Sequence, residues 1–173
     1  MKKSIIAVLL IITVSTFAAF AAVTDSGTLN VATQVSGQNE IMVHSIALTK
    51  ETWAAPANPI SATIADNEVG SAKQVGYVNV KTNNRKGYAL TVTADKLASD
   101  TFEIDYLVNM GSASFNTALA SNTSNTITVA NGVITGLTVT PYEVSVTVDQ
   151  TQYDNSPSGL YEGNIYFNYV ATV

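Results

Sequence analysis

Hydrophobic and polar residues alternate with a period of two along most of this chain, which predicts β-strands with one face buried and one wet. The pattern is clearest at the C-terminal end. There Gly159-Leu160-Tyr161-Glu162-Gly163 leads into a strand with Tyr161, Ile165, Phe167, Tyr169, Ala171 and Val173 on one face. Glu162, Asn164, Asn168 and Thr172 fall mostly on the other. Near the opposite end, Leu29, Val31, Thr33 and Val35 alternate with Asn30, Ala32 and Gln34 and mark a first strand. A turn at Ser36 to Asn39 separates it from a second strand over Glu40 to Leu48. Thr49 to Gln74, with Pro56 and Pro59, reads as a long connection that could hold a short strand at Ile60 to Ile64.

Beyond that connection, Val75 to Thr82 and Gly87 to Ala94 read as a hairpin, because Asn83, Asn84 and Gly87 between them tolerate positive φ. Thr101 to Met110 reads as one strand, and Gly111 to Asn125 as a surface loop with a frayed strand. Thr126 to Val129 and Val133 to Val139 flank Asn131-Gly132, a strong short-range hairpin signal. Glu143 to Asp149 points Val144, Val146 and Val148 inward, and Gln150 to Ser158 reads as a polar loop before the last strand. Eight or nine short strands joined by turns predict an all-β, antiparallel sandwich.

The N-terminus supplies an address. Lys2 and Lys3 precede an apolar run from Ile5 to Phe20, and Ala19-Phe20-Ala21 offers small residues at a cleavage site. Residues 1–21 therefore read as a signal peptide and Ala22 as the mature N-terminus, so the product is expected outside the inner membrane. A secreted chain without Cys cannot use disulfides and must rely on its core, which roughly 150 residues can supply. Loss of Lys2 and Lys3 takes the formal charge from −5 to −7. An acidic surface of that kind disfavours nucleic acid and anionic lipid as partners.

Candidate chemistry is sparse. His44 is the single His and falls on a strand, with no Gly-x-Ser-x-Gly elbow to supply a nucleophile. It reads as an ordinary strand residue, and no enzyme activity, metal or cofactor is expected. Asp149, Asp154 and Asn155, and the cluster Asp66-Asn67-Glu68, lack the spacing of a calcium loop and read as solvated turn residues. Of the eight Tyr, Tyr161 and Tyr169 belong to the core set of the last strand, Tyr166 faces away, and Tyr142 and Tyr153 fall in or near loops. Trp53, beside Ala54, Ala55 and Pro56, is the aromatic with the best claim to exposure, although packing under the long connection is its default.

The first strand has two readings. It is the edge strand of a self-contained sandwich, or it leaves its own domain and completes a neighbour's sheet. In the second case Leu29, Val31 and Val35 fill successive apolar pockets, each worth roughly 1.5–3 kcal/mol when fully buried. A head-to-tail contact that never closes on itself makes a filament.

Three blocks carry a resemblance. Gly27-Thr28-Leu29-Asn30-Val31-Ala32-Thr33-Gln34-Val35, then Val80 to Ala94, then Ser158-Gly159-Leu160-Tyr161-Glu162-Gly163 with its following strand, occur here in one order. Together they resemble chaperone–usher pilin subunits of the colonisation-factor-antigen type and the related spore coat protein U-like secreted proteins. Cys is absent, and Thr172 stands where many chaperone–usher pilins have a Tyr next to last. The resemblance implies an incomplete immunoglobulin-like fold completed by donor-strand exchange. It divides the chain into a signal peptide (1–21), a donor-strand extension (22–37) and a pilin domain (38–173). Donor residues would be Leu29, Val31, Thr33 and Val35, and the acceptor groove would be lined from Tyr161, Ile165, Phe167, Tyr169 and Ala171. Implied partners are further copies of the chain, a periplasmic chaperone, an outer-membrane usher, and a host-surface glycan or protein. The expected role is a structural or adhesive fimbrial subunit at the cell surface. The alternative is a monomeric secreted sandwich that binds a carbohydrate or a protein ligand.

Overall fold

A computed structural model describes residues 32–53, 60–118 and 124–173. The expected signal peptide, and Leu29 and Val31 of the expected first strand, lie outside the described residues. Contacts divide the chain into residues 1–34 and a compact unit, residues 35–173.

The compact unit is an all-β, open antiparallel sandwich. Its strands are β1 (Asn39–His44), β2 (Lys73–Thr82), β3 (Tyr88–Ala94), β4 (Leu97–Ser99) and β5 (Phe102–Ile104), followed by β6 (Tyr106–Met110), β7 (Ala113–Asn116), β8 (Ser124–Val129), β9 (Thr138–Val148) and β10 (Ile165–Ala171). One sheet has the order β1-β2-β9-β6-β7, the second β10-β3-β8, and β4 and β5 form a small hairpin. Every strand pair is antiparallel.

Alternation decides which side chains meet between the sheets. Val78 and Val80 of β2, Val144, Val146 and Val148 of β9, and Tyr106, Val108 and Met110 of β6 point inward from the five-stranded sheet. Tyr88, Leu90, Val92 and Ala94 of β3 meet them from the other. Neighbouring strands align these sets row by row, as in Tyr106↔Val148, Val108↔Val146 and Met110↔Val144.

Both expected hairpins are corrected. β2 and β3 do not pair: the connection at residues 83–87 carries the chain from one sheet to the other. Gly87 has φ +92°, and a Cβ there would lie 1.9 Å from the Val129 carbonyl oxygen, so only glycine fits the crossing. Asn84 braces it by donating to the carbonyls of Gly87 (2.8 Å) and Thr172 (2.9 Å). Likewise Asn131-Gly132 turns the chain, but β8 belongs to the three-stranded sheet and β9 to the five-stranded one. In both cases each flanking strand has an apolar face to bury, and facing one another across the core does so better than lying side by side. True two-residue hairpins occur at Asp100-Thr101 and Gly111-Ser112, with positive φ at Asp100 and Gly111.

Other elements differ locally. The second strand stops at His44, Ile60 to Ile64 form no strand, and a 3-10 turn covers Asp66–Glu68. Ala113 and Phe115 of β7 are buried, not part of a surface loop. Tyr142 sits within β9. Gln150–Asp154 form a short helix, α1, capped where the Asp149 carboxylate accepts from the Gln152 amide. β10 ends at Ala171, and Val173 is fully exposed, not part of the core set. Ala32 to Gln38 form no strand, so the described part of the expected first strand has none of its predicted pairing.

The single strand expected over Thr101 to Met110 is broken at Asp105, which is 6% exposed. Its carboxylate accepts from Gln152 Nε2 (2.8 Å) and Thr117 Oγ1 (3.3 Å) and lies 3.3 Å from Lys96 Nζ. Gln152 Oε1 in turn accepts from the Asp105 amide (2.7 Å). This network ties α1 to the start of β6. Truncating Asp105 to Ala strands buried donors, at a cost of about 1–3 kcal/mol. A drop of that size is expected in urea unfolding of Asp105→Ala, with Asp105→Asn retaining part of the stability.

Candidate functional site

The two flanks of the sandwich differ. On one, β7 lies beside β8 and Asn125 Nδ2 donates to the Ser114 carbonyl (2.9 Å), which links the sheets. On the other, β1 is the edge of the five-stranded sheet and β10 the edge of the three-stranded sheet. A tyrosine cluster ties these edges at one end. Tyr169 packs on Tyr88 with ring centroids 5.1 Å apart, and its hydroxyl donates to Asn39 Oδ1 (2.9 Å) and approaches Thr82 Oγ1 (3.3 Å). The Tyr88 and Tyr142 hydroxyls are hydrogen-bonded at 2.7 Å. Burial first, and then this partner, push the Tyr88 phenol far above its ordinary range, so Tyr88 stays neutral.

Away from that cluster the flank is open, and a groove of about 820 Å³ enters between the sheets. Its floor is Val144, Val146, Val148 and Tyr106, and its rims are Val43 on one side and Ile165 and Phe167 on the other. Burial raises the Tyr106 phenol pKa, with the Asp95 charge a lesser cause, so this phenol stays neutral.

The rim residues are oriented inward yet incompletely covered. Ile41 and Val43 stand opposite Val80 and Val78, both completely buried, and so share their face. Nevertheless Ile41 is 36% exposed and Val43 37%. Across the groove Ile165, Phe167 and Tyr169 face the core and remain half-buried. Among the described residues β10 pairs with β3 alone, and its other side, toward the groove, has no strand partner there.

Of the residues that the resemblance put in an acceptor groove, Tyr161, Ile165 and Phe167 line this groove. Tyr169 and Ala171 lie on the same strand but beyond the groove, at the tyrosine-closed end. Of the expected donor residues, Thr33 and Val35 are exposed, Val35 at 80%, and belong to no strand among the described residues. Sequence reasoning missed the rim residues Val43, Ile60 and Ile64, because their role depends on what fails to cover them. The alternation of Val144, Val146 and Val148 marked them as inward-facing, as they are, but not as part of a groove.

Elsewhere the polar residues serve the fold. His44 closes β1, and its Nδ1 accepts from the Ile46 amide (3.2 Å). Asp66 accepts from the Tyr153 hydroxyl (2.6 Å), and Asp154 accepts from Gln150 (2.8 Å). Trp53 is half-buried, donates to Glu40 Oε2 (2.9 Å) and lies under Lys81 Nζ, 5.3 Å from the ring centre. Tyr166 is exposed on the outer face, with its hydroxyl on Asp95 Oδ2 (2.8 Å). Among the described residues no cluster of three or more His, Cys, Asp or Glu could hold a metal ion, and no helix is long and apolar enough to cross a membrane.

Comparisons with protein-family models, with curated proteins and with solved structures find no match.

Tyr169→Phe removes the hydroxyl that bridges β10 to β1 at the closed end. The expected loss is about 0.5–1.5 kcal/mol in urea unfolding, and the variant should expose the Tyr88 ring region to faster amide exchange than wild type.

Proposed function

We propose that this chain is a structural subunit of a cell-surface fibre whose sandwich is completed by a strand from the next copy. The observation that carries the reading is the open flank, where inward-facing Ile41 and Val43 on one rim and Ile165 and Phe167 on the other remain incompletely covered. An added strand along β10 would pair the backbone groups left free on that edge and place alternate side chains over the Val144, Val146 and Val148 floor. Residues 22–37 are the segment we assign to that place in a neighbour, with Leu29, Val31, Thr33 and Val35 facing inward. Three buried aliphatic side chains at roughly 1.5–3 kcal/mol each, together with a backbone ladder, suffice to hold one copy to the next. In this reading the fold is an immunoglobulin-like sandwich lacking one strand, and no catalytic step is involved.

The same free edge explains why a chaperone is a necessary partner. A strand edge without a partner is an aggregation template until another strand covers it. A periplasmic chaperone would hold β10 between secretion, directed by residues 1–21, and release at an outer-membrane usher. The outer surface of the assembled fibre, Tyr166 included, is then what meets a host glycan or protein.

Deleting residues 22–37 is expected to give a domain that no longer polymerises but binds a synthetic 22–37 peptide, measured by sedimentation and fluorescence anisotropy. A truncated domain without affinity for the peptide, alongside an intact protein that stays monomeric at high concentration, sinks the proposal. Val31→Asp should abolish fibres seen by electron microscopy, since assembly would bury an unpaired charge; unchanged fibres would move the inserted strand elsewhere in the sequence.

A further inference from the structure

The rim of the groove on the β1 side is built from two pieces of chain. β1 pairs with β2 only from His44↔Tyr77 to Asn39↔Thr82. The first residues of β2, Lys73 to Gly76, are bonded to β9 on their other side and have no strand partner on this one among the described residues. Residues 60–64 lie there instead. Ile60 Cγ2 is 4.0 Å from where a Cβ on Gly76 would sit, and the Thr63 carbonyl accepts from Lys73 Nζ (2.9 Å). Three residues forward along 60–64 thus match three residues back along β2, which is the sense of an antiparallel pair.

The sequence of this piece is that of a strand. Ile60, Ala62 and Ile64 alternate with Ser61 and Thr63, and both isoleucines line the groove and are half-buried. Yet among the described residues no backbone hydrogen bond joins 60–64 to β2. The piece is tethered at its C-terminal side, where the Ala65 amide donates to Glu68 Oε2 (2.9 Å), Glu68 pairs with Lys73, and the Tyr153 hydroxyl reaches Asp66. This strap has a strand's alternation and runs antiparallel to β2, beside a stretch of strand edge that has no backbone partner among the described residues.

Resting on the proposed donor-strand reading, we infer that residues 60–64 zip onto Lys73–Gly76 as an additional antiparallel strand when the groove is filled. An incoming strand supplies apolar side chains that Ile60 and Ile64 can pack against, and this contact favours the ordered strap over the loose one. Once water leaves the groove, unpaired amides on β2 become costly, and the strap is the nearest partner for them. Occupancy of the groove is thereby coupled to extension of the five-stranded sheet, so an assembled subunit has a longer rim than a free one.

Hydrogen–deuterium exchange of the intact monomeric protein, with and without excess synthetic 22–37 peptide, tests this. Alternate amides within residues 60–64 are expected to slow at least tenfold when anisotropy shows the peptide bound. Bound peptide with unchanged or faster exchange there overturns the strap and leaves the donor-strand reading standing. No binding at all overturns the donor-strand reading and the strap with it. A second measurement uses Ala62→Pro and Thr63→Pro, whose amides point to opposite sides of an extended chain. One of the two should weaken peptide binding about tenfold with the melting temperature of the free protein unchanged. Equal, wild-type affinity in both variants overturns the inference; should either fail to fold, the exchange result on the unaltered protein decides.

Discussion

Two sheets of unequal width cannot cover one another, and this mismatch governs the rest of the molecule. Five strands face three. Neighbouring strands lie about 4.8 Å apart, so the shortfall of two is roughly 10 Å of sheet face. The shortfall is not shared equally between the flanks. Asn125 and Ser114 hold β8 against β7, so the deficit collects on the side of β1 and β10. The tyrosine cluster then seals one end of that side and leaves the groove at the other. The free edge of β10, the half-covered isoleucines and valines and the loosely held strap are successive consequences of that one asymmetry.

Polar side chains locate the breaks and crossings within this frame. Asp105 ends one strand and starts another by turning its carboxylate toward Gln152, Thr117 and Lys96. Asn79 is completely buried in β2, yet its side chain accepts from the Leu48 amide (2.8 Å), so the chain after β1 folds back over the outer face of the sheet. Asn84 does the equivalent at the crossing between sheets. Asn79 and Asn84 satisfy backbone groups that a sheet ladder cannot reach.

Strand content and facing were legible because a period of two is local information. The inward Val144, Val146 and Val148 and the alternating β10 are where the sequence pattern placed them. Strand partnership was less legible. Asn131-Gly132 and Asn83 to Gly87 both turn the chain, but turn chemistry does not determine whether the next strand lies alongside or opposite. The strands after both turns cross to the other sheet, where their apolar faces have a core to enter. Helix α1 was hidden by its polar composition, since one turn capped by Asp149 has no apolar periodicity to detect. The groove was half legible: β10 announces itself, whereas Ile60 and Val43 matter only through how little of the described chain covers them, and no local pattern encodes that.

Trp53 is the chain's single tryptophan, and its surroundings give it an optical use. Its indole N–H is fixed on Glu40 of β1 while Lys81 of β2 sits over its ring. Excited at the red edge, where the eight tyrosines do not absorb, the protein's dye-free emission therefore originates at one seam, the junction of the outermost strand with its neighbour. Peeling β1 away would free the indole from both partners at once, shifting colour and intensity before the valine interior feels any change. Red-edge light thus reads the margin of the wide sheet and passes over its centre.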